Sequence, residues 1–410
     1  MNRTLLTARL AAITFAAVLA VGCTTDTTTT GRSSPAPTVT TVPHPTSTTT
    51  STSTTTATST TTAASTTTAA STTTVTPTTG ALTDDRVQGL LDRWASEGRG
   101  GVAVALAGHD ANLTVGSAGS AGPDGGTVEP DSQFRVGSLT KTFVSVMMLQ
   151  LVDDGTIGLD DLVVEHAPDL TIADGVTIRQ LLAHRSGLPD YTDGELAPAV
   201  LADPARTWTP ADVLALVADQ PRDFPPGTTF AYSNTNYVIA GLLLERITGM
   251  TLAENLRSRI VEPLGLSQTY FAPDDARSPI GGFSDSLPGG DTSGASYRAL
   301  ETASGAAGSL VSTAADLATF IRALAHGQLL HKATYAEMTK GLPDNGQTLG
   351  LFAADPPTAT GISNSGNIPG FTAYMQYDPV TEDLFVLLLN DDTRSPEQLG
   401  TDLSAIIRNL

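Results

Sequence analysis

The chain has 410 residues, with 22 Lys plus Arg against 42 Asp plus Glu and a formal net charge of −20. So acidic a protein is repelled by the phosphates of nucleic acids and by anionic membrane faces, which argues against both as electrostatic partners. A lone cysteine rules out a disulfide framework, and histidines without HExxH or comparable spacing leave no zinc site or cofactor to expect.

Residues 1–22 place Arg3 and Arg9 ahead of an apolar run at 10–21 and end on small residues. That is the make-up of a secretory signal peptide, too short in its apolar stretch to span a bilayer. Leu19-Ala20-Val21-Gly22-Cys23 resembles a bacterial lipobox, although its leucine stands one place further from the cysteine than the pattern prefers. The resemblance implies a lipid on Cys23 and anchorage to the outer face of the cytoplasmic membrane, within the cell envelope. Residues 23–80 then read as a tether. Thr and Ser dominate 24–79, whose formal charges are Asp26 and Arg32, and such a segment cannot bury enough apolar surface to offset its chain entropy. As a flexible chain it would span roughly 40 Å root-mean-square. Ser/Thr tracts with Pro are also the composition of O-glycosylated stalks.

Residues 81–410 are long enough for a large core and for two lobes around one cleft. Over 84–97, Val87, Leu90, Leu91 and Trp94 recur with helical period until Gly98. The runs 101–106 and 112–116 read as strands parted by a turn at Gly108-His109-Asp110. A short strand at 133–136 meets the hinge Gly137. The apolar run 143–152, closed by Asp153-Asp154-Gly155, then predicts a helix starting near Ser138. A second apolar helix is predicted over 237–247. Runs at 372–377 and 384–389 predict a hairpin, and helical period returns after Pro396. The middle, about 141–320, is mostly helices and Gly/Pro-rich loops. The expected fold class is α+β, an antiparallel sheet flanked by the terminal helices with an inserted helical lobe.

Ser138 and Lys141 are three residues apart at the start of a helix, so they share a face. Arginine is the cation used almost everywhere, and the lysines are confined to Lys141, Lys332 and Lys340. A desolvated lysine can release its proton whereas an arginine cannot, so a lysine kept in an apolar helix suits proton transfer from a serine hydroxyl. Ahead of the second helix stands Tyr232-Ser233-Asn234. A tyrosine whose pKa is lowered by a nearby ammonium could pass a proton to and from the serine, and an asparagine amide could hold Lys141 and a substrate amide. His184, in the leucine-rich segment 181–191, reads as structural.

Five segments in order, 134–143, 181–191, 230–234, 308–317 and 366–371, make the chain resemble the serine β-lactamase and penicillin-binding-protein family, in its class C β-lactamase, D-alanyl-D-alanine carboxypeptidase and esterase branch. The resemblance implies a β-lactamase/transpeptidase-like fold without cofactor. It also implies Ser138 as acylated nucleophile, Lys141 and Tyr232 as its proton-handling partners, and Asn234 as a positioning amide. The backbone N–H groups of Ser138 and Asn367 would form the oxyanion hole. The family's third motif, a Lys or His followed by a small residue and Gly, falls on Asn364-Ser365-Gly366, so its cation is replaced by an amide at the substrate-positioning edge of the cleft. The implied substrate is an ester, a peptidoglycan D-alanyl peptide or a β-lactam. The loss of the cation leaves open a catalytically silent, cell-wall peptide-binding protein of the same fold, and a structural lipoprotein is a third possibility.

Overall fold

The structure, a computed structural model, describes residues 80–81, 85–108, 113–293, 296–341, 348–354, 360–394 and 397–407. The signal peptide, Cys23 and all but the last residue of the tether expected above lie outside these residues.

Among the described residues, ten strands form two sheets. Strands β1 (Gly80–Ala81), β2 (Gly101–Ala107), β3 (Thr114–Gly119), β7 (Phe352–Ala353), β8 (Ile362–Ile368), β9 (Phe371–Tyr377) and β10 (Leu384–Leu389) make one sheet in the order β1-β3-β2-β10-β9-β8-β7. Every pair in it is antiparallel except β1 with β3. Strands β4 (Phe134–Arg135), β5 (Tyr270–Phe271) and β6 (Leu310–Ser312) form a small second sheet in the order β4-β6-β5.

The apolar runs of β2 and β10 are buried along their whole length because both faces of the large sheet are covered. On one face Val102, Val104 and Leu106 of β2, with Phe385, Leu387 and Leu389 of β10, pack on Val87, Leu91 and Trp94 of the N-terminal helix Asp85–Ser96. Leu399 and Leu403 of the C-terminal helix Glu397–Ile407 complete that layer. On the other face Ala103, Ala105 and Ala107 leave room for the helix Ala314–Ala325, which brings Leu317, Phe320 and Ile321 into the main core. Residues near 140–310 build the helical lobe around the helix Thr140–Asp153, in which every residue from Thr140 to Leu149 is buried. Phe143 stacks on Phe320 at 3.6 Å between ring centroids, tying that helix to the sheet.

One feature differs from the sequence expectation. The α-helix begins at Thr140, and Ser138 lies in a preceding 3-10 turn, Gly137–Leu139. The turn closes when Thr140 Oγ1 donates to the Gly137 carbonyl and accepts from Leu310 N–H, so the segment bends to join β6 before helical geometry sets in. Strand β8 also passes very close to this turn, and glycine makes the approach possible. Gly137 has φ +51°, and a Cβ there would come within 2.8 Å of Asn367 N; a Cβ at Gly366 would sit 1.9 Å from the Val136 carbonyl oxygen.

Candidate active site

The 3-10 turn aims Ser138 at two partners on different elements. Its Oγ is 2.9 Å from Lys141 Nζ, in the first turn of the helix that follows, and 2.8 Å from the hydroxyl of Tyr232, in the loop before the helix Thr235–Thr248. Lys141 is only 2% exposed. Besides Ser138, its Nζ reaches Asn234 Oδ1 at 2.8 Å and the Ala307 carbonyl at 2.6 Å. That carbonyl comes from the helix Arg298–Gly308, which is broken at Gly305 by φ +41° and ψ −127°.

Burial pulls the Lys141 pKa down to about 7, against an opposing pull from Asp190. A neutral amine has two N–H donors and one lone pair. Asn234 Oδ1 and the Ala307 carbonyl can only accept, so they take the two donors and turn the lone pair toward the Ser138 hydroxyl. The site therefore holds a lysine able to act as a base near neutral pH.

Tyr232 differs from expectation. Its phenol is pushed well above the usual tyrosine range, chiefly by burial and in part by Asp190, with only the Ser138 hydrogen bond acting the other way. It remains a protonated donor to Ser138 Oγ. The expectation of a lowered pKa failed because burial of the phenol outweighs every opposing influence on it. His184 stacks on the Tyr232 ring at 4.3 Å and accepts from Ser233 N–H through Nδ1. Burial, then the nearby Lys141, lowers its pKa to about 3, so it is a neutral packing partner.

The Asn234 amide lies between Lys141 and Asp190, donating to Asp190 Oδ2 at 2.8 Å. Asp190 lies in the recognised segment 181–191, but neither its role nor that of the Ala307 carbonyl could be read from it. The two stand 44 and 166 residues from the groups they meet, and only tertiary structure brings them in.

On β8 the third-motif triplet divides its tasks. Asn364 is 4% exposed. Its Nδ2 donates to Thr142 Oγ1 at 2.7 Å and to the Gly350 carbonyl at 3.2 Å, while Oδ1 accepts from Ser365 N–H. Its amide is thus bonded into the wall of the space it borders with Lys141 and Tyr232. Ser365 is half-buried and borders the same small space as Tyr232, and Gly366 lets the strand reach Val136 and Ser138. Asn367 N faces Gly137, on the side of β8 where the Ser138 backbone lies.

A cleft of about 710 Å³, counted to its open mouth, runs from Ser138, Asn234 and Asn367 to Leu196, Val200, Leu287 and Leu300. Among the described residues, none that lines it is charged. Leu201 on its rim is one of two large apolar side chains left exposed among the described residues. The size and apolar lining are those of a small-molecule site.

Comparison with known proteins agrees with this geometry. The family described as Beta-lactamase matches residues 83–407. An unguisins hydrolase of Aspergillus campestris is 32% identical over 210 residues, 47% of this chain and 36% of that protein. Penicillin-binding protein 4 of Amycolatopsis lactamdurans is 35% identical over 162 residues, 37% of this chain and 39% of that protein. The matched part thus spans well under half the length of either relative. Among solved structures, the D-amino acid amidase of Ochrobactrum anthropi SV3 superposes with a TM-score of 0.68 at 28% identity, covering 79% of this chain and 98% of that one. A D-stereospecific amidohydrolase from Streptomyces gives 0.65 at 30% identity over 75% and 94%. With its helix-flanked antiparallel sheet and its Ser138, Lys141 and Tyr232 brought to one point, the chain belongs to the Beta-lactamase family, whose fold it shares with penicillin-binding proteins and amidohydrolases.

Proposed function

We propose that this protein is a serine hydrolase that works through an acyl-enzyme on Ser138 and takes uncharged acyl donors carrying an apolar group. The observation that carries the reading is the Ser138 hydroxyl held at hydrogen-bond distance from both a lysine with a pKa of about 7 and a protonated tyrosine. Lys141 takes the Ser138 proton as Oγ bonds to the acyl carbon. The carbonyl oxygen becomes an oxyanion facing the N–H groups of Ser138 and Asn367. As the bond to the leaving group breaks, Tyr232 gives that group its proton and is reprotonated from Lys141. Water then attacks the ester with its proton passing back along the same groups, which releases the acid and restores Ser138. Intact mass after exposure to a fluorophosphonate, followed by peptide mapping, tests the reading, and a label on another serine would sink it.

The uncharged, apolar lining of the cleft sets the substrate class. For p-nitrophenyl esters from acetate to hexanoate, kcat/KM is expected to climb about 4-fold per added methylene. Leu287→Asp is expected to flatten that climb. A peptide ending in D-alanyl-D-alanine brings a carboxylate to a cleft without a lining cation, and about 10-fold or greater loss relative to the hexanoate ester is expected. A preference for the peptide would rule out this substrate class.

The protein's surroundings follow from the N-terminal sequence. Residues 1–22 act as a signal peptide, Cys23 carries the lipid, and 23–80 tether the hydrolase domain, 81–410, within the cell envelope. Cys23→Ala is expected to release the protein in soluble form or leave it as an uncleaved precursor, as fractionation and intact mass would reveal. Normal processing with unchanged membrane retention would refute lipidation at Cys23.

A further inference from the structure

Asp190 follows Pro189 in the loop that borders the cleft, and its carboxyl group accepts four hydrogen bonds. Oδ2 takes the Asn234 backbone N–H at 3.1 Å and the Asn234 amide Nδ2 at 2.8 Å. Oδ1 takes Thr192 N–H at 3.0 Å and the Thr192 hydroxyl at 2.9 Å. All four partners donate, so the group acts purely as an acceptor.

An asparagine amide can turn either end toward a neighbour, and its partners decide which. Beside a carboxylate, Asn234 must present its nitrogen, and its oxygen is left to face Lys141 Nζ at 2.8 Å. Were the amide reversed, two N–H donors would face Lys141, the amine would lose one of its two acceptors, and its lone pair would no longer be directed at Ser138. We propose that Asp190 is the positioning residue of this site: it fixes the orientation of Asn234 and, as the negative charge nearest that amide, supports the ammonium form of Lys141. The proposal rests on the acyl-enzyme reading above.

The other groups around Lys141 do not supply that charge. Tyr232 and Tyr237 face Nζ with their rings, at 5.0 and 5.7 Å to the centroids, and both phenols are pushed up by burial. His184 is neutral. Around Asp190, burial raises the Tyr191 phenol, and the Asp193 carboxyl is raised by burial and by Asp190 itself. Asp190 is accordingly the acidic group that opposes the desolvation of Lys141. Removing its charge lowers the Lys141 pKa further, because Asp190 is the carboxylate whose charge favours the ammonium.

The test is the pH profile of kcat/KM for a p-nitrophenyl ester, with Ser138 labelling by a fluorophosphonate as the companion measurement. In the wild type the acidic limb is expected near pH 7, since protonated Lys141 cannot accept from Ser138. Asp190→Asn is expected to move that limb to lower pH and to reduce kcat about 10-fold, a shift that loosened packing alone would not produce. The double variant Asp190→Asn/Asn234→Asp keeps one carboxylate and one amide across the same contact but puts the charge directly against Nζ. Its limb is expected above the wild-type pH, which keeps the proposal testable should the single variant not fold. An unmoved limb in folded, labelled Asp190→Asn, or a limb at or below the wild-type pH in the double variant, overturns the role of Asp190. Absence of Ser138 labelling in the wild type overturns the acyl-enzyme reading and this proposal together.

Discussion

Ser138→Ala is expected to lower kcat by about 10⁴-fold or more while leaving the fold intact, because the reaction has no other route to a covalent intermediate. Among the described residues, Ser138 alone has a hydroxyl on which both a lysine amine and a tyrosine hydroxyl converge. The nearby Ser145 is buried and bonds to Tyr237, whose hydroxyl donates to the Leu182 carbonyl, so it is closed off from the cleft. Thermal unfolding of the variant should remain close to that of the wild type, since the Ser138 side chain is half-buried and Ala fits its turn. Steady-state kinetics with a p-nitrophenyl ester gives the loss directly. Residual turnover within about 10-fold of the wild type would identify a different nucleophile and remove the basis of the proposed function.

The parts of this site that are local in the chain could be read from the sequence. Ser138 and Lys141 are three residues apart, so helical geometry alone places them together, even though the first turn proves to be 3-10. Strand β9 by its alternation, β10 as a short apolar run after a turn, and the two terminal helices by period 3.6 were likewise legible, since these are properties of short segments. Other features depend on what the chain meets at a distance. The run 101–107 is uniformly apolar, and nothing in it reveals that its valines face one layer and its alanines another. The Asn364 position was identifiable, but the direction of its amide depends on Thr142 and Gly350, which lie 222 and 14 residues away. The proton affinity of Tyr232 was expected in the wrong direction for the same kind of reason. Its neighbour Lys141 could be inferred, whereas the burial that lowers that lysine's pKa and raises the phenol's is a property of the assembled lobe.

Lys141→Arg is expected to cost about 10²-fold or more in kcat/KM, nearly as much as Lys141→Ala, although it conserves charge. The lysine contributes a lone pair. With two acceptors fixing its N–H groups and burial bringing its pKa to about 7, a large fraction is free amine at neutral pH, ready to take the serine proton. A guanidinium stays protonated under the same burial and has no lone pair to offer Ser138. It is also larger and planar, and it would have to enter a space closed by Asn234, Ala307 and the Tyr232 ring. Because that crowding could lower stability, the measurement pairs kcat/KM with thermal unfolding and with the pH profile. The folded variant should lose the acidic limb that the wild type shows near pH 7, since no group titrating there remains to accept the proton. A folded Lys141→Arg protein with near-normal turnover and the same limb would mean that position 141 supplies only positive charge. Proton transfer from Ser138 would then have to run through Tyr232, against the direction in which the site shifts that phenol.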